Sequence, residues 1–319
     1  MAKKRPEIKK SMSGAVIILL LFAVYIFSSG KNEDKTEERP TIVSEFDEAE
    51  EEKKSDDDTV SQGMEELRVE FVDVGQGDCI LVSCGGENML IDAGENDRGV
   101  QVAKHIKAEG IKELKYVIGT HPHSDHIGGI DVVLDRLDCD MLLMPDYERD
   151  IKTYNDVLKC AKRNDTPILV PEPGDSFELG SAEFTVLAPD PEDNYGDAIN
   201  NYSIAILLEN GETSFLLTGD AEYQEEADII ESGRELGLDM DVDVLKAGHH
   251  GSGDASSWEL LEAVEPETVV ISCGRNNDYG YPHKSTMKKL DRIGAEVLRT
   301  DELGDISLCS DGVEVSMCE

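Results

Sequence analysis

Three histidines and an aspartate crowded into six positions are the residues best equipped for chemistry. His121, His123, Asp125 and His126 follow an apolar stretch that ends at Gly119. Imidazoles and carboxylates packed into one loop are costly to desolvate unless they share a cation, and both are ordinary ligands of divalent metals. The spacing therefore predicts a site for one or two divalent ions. The alternative is a solvated polar turn that happens to be rich in histidine.

A second carboxylate and a histidine pair come after later predicted strands. Asp220 follows the hairpin that turns at Asn210-Gly211, and His249 with His250 follows a predicted strand over residues 242–247. Neighbouring side chains on a loop diverge, so we expect one of the two histidines to bind or support the metal. The other is expected to face the substrate as a proton donor. The sequence does not say which histidine does which.

Further motifs occur in a fixed order around these residues. They are FVDVGQGD at 71–78, LIDAG at 90–94, HPHSDHIGG at 121–129, NNYS at 200–203, LLTGDAE at 216–222, LKAGHHGS at 245–252 and ISCG at 271–274. In this order the motifs resemble the metallo-β-lactamase family, and within it the hydrolase domain of ComEC-type DNA-uptake proteins. The resemblance covers nearly everything from Leu67 onward.

The resemblance implies roles for these residues. It assigns His121 and His123 to one ion, Asp125 and His126 to the other, and makes Asp220 the carboxylate that bridges both. The implied reaction is hydrolysis by a metal-bound hydroxide, in which two cations about 3.5–4 Å apart clamp the reacting oxygens. The implied cofactor is zinc or manganese.

One departure from the wider family concerns the first ion. The stretch that usually supplies its third histidine reads Asn200-Asn201 here, as is typical of the ComEC-like subgroup. This implies a weaker first site, filled only with substrate or preferring manganese over zinc. It also favours a phosphodiester substrate, in nucleic acid or in the cell wall, over a lactone, β-lactam or thioester, which remains the alternative enzyme class.

A further set of residues is expected to orient the metal ligands or to contact the substrate. The subgroup usually reads Tyr-Gly-His-Pro where this chain has YGYP at 279–282, so a contact made there is expected to be lost or shifted to the next histidine. The set is Asp73, Asp78, Asp92, Asn201 and His283.

The pattern of elements predicts an α/β fold. Apolar strands alternate with amphipathic helices from Leu67 onward, and each candidate ligand comes just after a strand, so all can meet at one edge. With the resemblance, the prediction is a four-layer αββα sandwich of the metallo-β-lactamase type over residues 67–319, preceded by one N-terminal transmembrane helix.

The N-terminal region predicts attachment to a membrane. Residues 1–13 form a basic cytoplasmic tail, residues 14–30 an apolar segment, and residues 31–66 an acidic, disordered linker. The apolar segment is either a transmembrane anchor or a secretory signal. Since no small-residue cleavage site follows it, we favour an uncleaved anchor with the catalytic domain outside the cytoplasm; the alternative is a secreted protein.

Composition limits the partners. With 30 basic and 69 acidic residues, the chain has a formal net charge of −39, which repels nucleic acid unless cations screen it. DNA is therefore a disfavoured substrate, although a local basic groove inside this acidic average would still permit a nuclease. A non-catalytic, metal-binding interaction domain is the remaining alternative. The seven cysteines show no zinc-finger spacing, and Cys309 with Cys318 is one conceivable disulfide.

Overall fold

The computed structural model describes residues 64–146, 150–191 and 193–318. The predicted basic tail, the apolar segment and all but the last three residues of the predicted linker lie outside these ranges. Within the described ranges, no helix combines the length and the apolar character needed to cross a membrane.

Two mixed β-sheets make up the centre of the domain. The strands are β1 Leu67–Phe71, β2 Ile80–Cys84, β3 Glu87–Ile91, β4 Glu113–Ile118, β5 Asp138–Leu143, β6 Ile168–Leu169, β7 Ser176–Leu179, β8 Ala182–Ala188, β9 Ala205–Asn210, β10 Thr213–Leu217, β11 Val244–Lys246, β12 Thr268–Ile271, β13 Glu296–Arg299, β14 Ile306–Ser310 and β15 Val315–Met317. The first sheet has the order β15-β14-β1-β2-β3-β4-β5-β6. The second has the order β13-β12-β11-β10-β9-β8-β7. A disulfide joins Cys309 of β14 to Cys318.

Helices cover the outer faces of both sheets. They are α1 Gly99–Ala108, α2 Ser124–Ile127, α3 Ile130–Leu134, α4 Lys152–Arg163, α5 Tyr223–Leu236, α6 Trp258–Val264, α7 Lys284–Ile293 and α8 Thr300–Leu303, with 3-10 turns at Ile199–Tyr202 and Gly248–Gly251.

Three apolar clusters give the order of the layers. Phe71 of β1, Phe184 of β8 and Phe215 of β10 belong to the cluster between the two sheets. A second cluster packs α1, α3 and α4 on the first sheet, and a third packs α5, α6 and α7 on the second. Burial of apolar side chains on both faces of each sheet is the main stabilisation of such layers. The predicted αββα sandwich is therefore confirmed for the described residues.

The helix that leaves the metal loop differs from its prediction. The sequence predicts one helix over residues 127–137, but α2 and α3 are separate and Gly128-Gly129 lies between them. A Cβ on Gly129 would lie 2.4 Å from the carbonyl oxygen of Ala93, and one on Gly128 would lie 2.4 Å from the amide of Asn96. Close backbone approach thus requires glycine at both positions and interrupts the helix.

The ends of four strands position the chemistry. Asp92 follows β3, the loop from Gly119 follows β4, Asp220 follows β10, and the His249-His250 pair follows β11. β3 runs parallel to β4 and β10 runs parallel to β11, so within each pair the carboxyl ends lie side by side. The contacts described next show that both pairs meet at one edge of the sandwich.

Candidate metal centre

One group of donor atoms is built from His126, His250, Asp125 and Asp220. The Nε2 atoms of His126 and His250 are 3.3 Å apart, and they lie 3.1 and 3.4 Å from Oδ2 of Asp220. Oδ2 of Asp125 lies 3.4 Å from Nε2 of His250. Ligands about 2.0–2.1 Å from a tetrahedral ion are separated by roughly 3.3 Å. The spacing of these atoms therefore suits one ion among them.

A second group shares Asp220 with the first. Nε2 of His121 lies 3.0 Å from Nδ1 of His123 and 3.8 Å from Oδ2 of Asp220. His121 is fully buried, and its Nδ1 contacts the hydroxyls of Thr120 at 3.2 Å and Ser203 at 3.3 Å. The two groups therefore share the carboxylate of Asp220, and each could hold a divalent ion.

Asp92 fixes the orientation of His126. Nδ1 of His126 donates to Oδ2 of Asp92 at 2.7 Å, while the amide and the hydroxyl of Thr120 donate to the same carboxylate. On the other ring, Nδ1 of His250 donates to the carbonyl oxygen of Ser272 at 2.9 Å. With both Nδ1 atoms occupied, the Nε2 atoms are the ones that face the centre. Asp92 lies where the prediction of an orienting carboxylate requires it.

The variant Asp92→Asn is expected to weaken metal binding by about 10- to 100-fold, because the amide supports His126 less well than the carboxylate does. Competition with a fluorescent chelator measures the affinity, and Asp131→Asn, at a half-buried aspartate of α3, is the matched control. An affinity equal to that of the unmodified protein would show that Asp92 has no part in orienting the ligand.

The carboxylate of Asp78 lies on the Nδ1 side of the His126 and His250 rings. Its Oδ1 lies 3.4 Å from Nδ1 of His250, and its Oδ2 pairs with Nζ of Lys246 at 2.5 Å. Asp78, His126, Asp220 and His250 together form a buried set able to hold an ion. We assign Asp78 to Lys246 and not to the ion, because it lies on the Nδ1 side of both rings. This agrees with the prediction of an orienting role, which stays a prediction.

Lys246 is a fully buried ammonium beside the centre. Its Nζ donates to the carbonyl oxygen of Gly219 at 2.7 Å and lies 3.8 Å from Oδ1 of Asp220. Burial alone would lower the pKa of Lys246, but the carboxylates of Asp78 and Asp220 outweigh it and hold the pKa above its usual range. The ammonium therefore stays charged and offsets part of the negative charge buried here.

Substitution of the buried ammonium is expected to destabilise the fold. Lys246→Met leaves the Asp78 carboxylate buried without its ion pair, and breaking a buried pair costs about 3–5 kcal/mol in the free energy of unfolding. Urea denaturation in the presence of a chelator measures the loss. The double variant Lys246→Met/Asp78→Leu is expected to recover much of it. A single variant as stable as the parent would contradict this account of the pair.

The donor set suits a divalent cation. Oδ1 of Asp220 is buried and has no hydrogen-bond partner among the described residues. Burial would raise the pKa of Asp220, but His126 and His250 hold it well below the usual range. Burial would lower the pKa of both histidines, but Asp220, with Asp92 beside His126 and Asp125 beside His250, raises it well above the usual range. Two protonated rings facing each other across 3.3 Å repel, whereas one ion replaces both protons.

His249 stands apart from the donor groups. Its ring is 20% exposed and its Nε2 lies 3.9 Å from Asp220, whereas His250 is 1% exposed and lies among the donors. Nδ1 of His249 pairs with Glu222 at 3.2 Å, and its Nε2 lies 3.1 Å from the hydroxyl of Tyr281. Both histidines have positive φ, 47° and 55°, a backbone conformation that is costly without glycine. This conformation places their rings 6.0 Å apart and aims them differently.

A cavity of about 250 Å³ opens onto the centre. Donor residues of both groups reach it, as do His249 and the two tyrosines that follow β12. Tyr279 and Tyr281 stack with their ring centroids 5.4 Å apart, and Tyr279 is 63% exposed. The cavity therefore has metal-binding groups at its base and aromatic rings at its rim. Its lining includes His123, Asp125, Asp220, His249, His250 and Tyr281.

The structure places three predicted residues away from the donor atoms. Oδ1 of Asp73 accepts from the amide of Gly75, so this carboxylate shapes the turn and does not orient a histidine. Oδ1 of Asn201 accepts from the amide of Glu222. Nδ1 of His283, at the start of α7, accepts from the amide of Gly253, and His283 is not among the residues that line the cavity.

Sequence reasoning missed four residues of the centre. Asn200, and not the predicted Asn201, lies beside His249, and its Nδ2 donates to Oε1 of Glu222 at 2.7 Å. The sequence contained a signal for all four residues, since each lies inside or beside one of the motifs given above. The missed residues are Asn200, Glu222, Lys246 and Tyr281.

The fold and the donor set define the class of protein. The model of the metallo-beta-lactamase superfamily matches residues 72–275, more than half of the chain, and the chain belongs to this superfamily. The predicted resemblance is confirmed.

Relatives narrow the comparison further. ComE operon protein 3 of Bacillus subtilis (strain 168) is 31% identical over 259 residues, which are 76% of this chain and 33% of the relative. Recombination protein 2 of Haemophilus influenzae is 32% identical over 247 residues, 75% of this chain and 28% of that protein. The chain thus spans about a third of the length of these relatives. The metallo-beta-lactamase fold protein YhfI from Bacillus subtilis, at 16% identity and a TM-score of 0.50, covers 77% of this chain and 100% of its own, and shows the fold alone.

Proposed function

We propose that the chain is a metal-dependent hydrolase that cleaves a phosphodiester, with zinc or manganese as its cofactor. The observation that carries the proposal is Asp220, a buried carboxylate shared by two groups of histidine ligands at the base of an open cavity. Two-ion centres of this kind serve displacements at phosphorus, because they contact both the attacking and the leaving oxygen.

The residues of the chain divide the work. A bound divalent ion supplies Lewis-acid polarisation and lowers the pKa of water. Asp220 contacts both donor groups. Asp92 orients the imidazole of His126, and the carbonyl oxygen of Ser272 orients that of His250. Glu222 orients His249 from its Nδ1 side, which leaves Nε2 toward Tyr281 and the cavity to hold a proton for the leaving oxygen.

The donor group of His121 and His123 favours a phosphodiester over a β-lactam. Asn200 lies beside His249 and Glu222 and offers no imidazole to the group of His121 and His123. Fewer nitrogen ligands leave room for an oxygen of the substrate, and carboxylate, carbonyl and water oxygens suit manganese. The residues at this part of the cavity would leave space beside a bound ion for an oxygen of a phosphodiester substrate.

A panel of substrates tests the proposal. The full chain in detergent is incubated with Zn²⁺, Mn²⁺ or a chelator and offered a bis-aryl phosphodiester, single-stranded DNA, a lactone and a β-lactam. We expect metal-dependent release from a phosphodiester and none after chelation. Preferential cleavage of the lactone or β-lactam would replace the substrate class. Stoichiometric metal binding without hydrolysis of any substrate would favour a non-catalytic metal-binding domain.

We further propose that residues 14–30 are retained as a membrane anchor and that the enzyme works outside the cytoplasm. An apolar run with basic residues before it and no small-residue cleavage site after it supports this. N-terminal sequencing of the mature protein is expected to begin at or near Met1. A sequence that begins after Ser29 would instead show a cleaved secretory signal.

A further inference from the structure

A basic groove lies on the second sheet's helical layer. The chain has more than twice as many acidic as basic residues, yet the ten residues of α7 contain four basic side chains and one acidic one. We call this feature the α7 groove, a depression of about 490 Å³. Its lining is Tyr223, Ser257, Trp258, Glu259, Ser285, Lys288, Lys289 and Arg292.

Two aromatic side chains are held in place by the cations of α7. The guanidinium of Arg292 lies 5.0 Å from the ring centroid of Trp258, and Nζ of Lys289 lies 5.2 Å from that of Tyr223. Lys289 is buried and donates to the carbonyl oxygen of Ala255 at 2.9 Å, so it acts as a fixed support. Lys288 and Arg292 are exposed, and Tyr223 is 48% exposed. The groove thus offers the exposed cations of Lys288 and Arg292 beside positioned rings.

The groove adjoins the metal centre. The ring of His283 lies 5.0 Å from the ring of Tyr281 at the cavity, and its Nδ1 accepts from the amide of Gly253 at 2.8 Å. The hydroxyl of Tyr223 donates to the carbonyl oxygen of the same Gly253. In addition, Tyr223 directly follows Glu222, which pairs with His249. These contacts connect Tyr281 and His249 at the cavity with Tyr223 in the lining of the α7 groove.

We propose that the α7 groove binds the backbone phosphates of a flexible phosphodiester polymer, a single-stranded nucleic acid, whose scissile bond lies at the metal centre. The exposed cations of Lys288 and Arg292 bind the phosphates, and the exposed ring of Tyr223 with the half-buried ring of Trp258 gives bases a surface for stacking. The acidic remainder of the protein opposes a duplex, which carries one charge per roughly 1.7 Å, more strongly than a flexible single strand. The inference rests on the proposed phosphodiesterase function and narrows its substrate to a polymer.

The single tryptophan of the chain makes the groove directly observable. Because Trp258 is the chain's only tryptophan, intrinsic fluorescence reports from the α7 groove. The full chain, with metal chelated to prevent hydrolysis, is titrated with an oligothymidylate of about ten nucleotides at several salt concentrations. We expect a saturable change in fluorescence. For Lys288→Gln/Arg292→Gln, the plot of log association constant against log salt concentration is expected to be less steep by about 1.4, since each single-strand phosphate contact contributes about 0.7 to the steepness.

The matched control is Lys104→Gln/Lys107→Gln, which removes two exposed cations from α1 on the first sheet. It is expected to keep the parent slope. An absent fluorescence response, or equal slopes for both double variants, would overturn the proposal. So would equally tight binding of a glycerol phosphate oligomer, which has no bases, or a response to anionic vesicles alone, which would indicate a membrane surface.

The binding assay and the hydrolysis panel fail independently. Binding with metal chelated requires no catalysis. A protein that binds the oligonucleotide but hydrolyses nothing would therefore support the binding role of the α7 groove and contradict the proposed function. Conversely, hydrolysis of the small bis-aryl diester with no oligonucleotide binding would retain the phosphodiesterase and overturn the α7 groove.

Discussion

The variant Asp220→Ala is expected to lose most of its bound metal and all measurable hydrolysis. Oδ2 of Asp220 lies within 4 Å of His121, His126 and His250, so this one carboxylate belongs to both donor groups. Its removal leaves the buried imidazoles without the anion that balances an ion. Elemental analysis after reconstitution with Zn²⁺ or Mn²⁺ measures the occupancy, and the bis-aryl phosphodiester measures the rate.

Asp254→Ala is the control, because it removes an exposed aspartate from the loop that follows the histidine pair. It is expected to keep both metal and activity. The combined variant Asp125→Ala/His126→Ala removes two other members of the donor group that contains Asp220. Stoichiometric metal that persists in that variant and in Asp220→Ala would show that the ion is bound elsewhere.

The sequence alone predicted that the candidate ligands lie at the ends of strands. Each candidate ligand follows a strand, and the carboxyl ends of parallel strands meet at one edge of a sheet, so His126 could be expected near Asp92, and Asp220 near the histidine pair. These two pairs lie on different sheets, and the side-chain contacts show that they come together. Periodicity likewise predicted an α/β fold, because helices and strands must bury their apolar faces against each other, and the family resemblance added the four-layer order. These features depend on local pattern and are therefore accessible from sequence.

What the sequence could not predict depends on tertiary contacts. Lys246 lies in the apolar strand β11, and its charge is tolerated only because Asp78, distant in the chain, pairs with it. Asn200 and Asn201 are adjacent and chemically identical, so the 3-10 turn that contains them decides which one faces His249. Helix pattern also predicted a single helix where Gly128-Gly129 separates two, because the backbone contacts that require glycine come from another loop.

The roles of His249 and His250 are expected to be separable. His250 lies among the donors with its Nε2 3.3 Å from that of His126, while its Nδ1 is held by the carbonyl oxygen of Ser272. His250→Ala therefore removes a ligand, and we expect it to lose metal and, with it, turnover. Elemental analysis and the phosphodiesterase rate are measured side by side for this variant and for His249→Ala.

His249→Ala is expected to keep its metal and lose about 10²- to 10⁴-fold in rate, the usual contribution of a positioned proton donor. Its ring faces the cavity between Glu222 and Tyr281, and its Nε2 lies 3.9 Å from Asp220. The variant Glu222→Gln should lose part of the same rate without losing metal, because it weakens only the support on the Nδ1 side of His249. Equal loss of metal in the two histidine variants, or full activity in either, would show that the pair is divided wrongly.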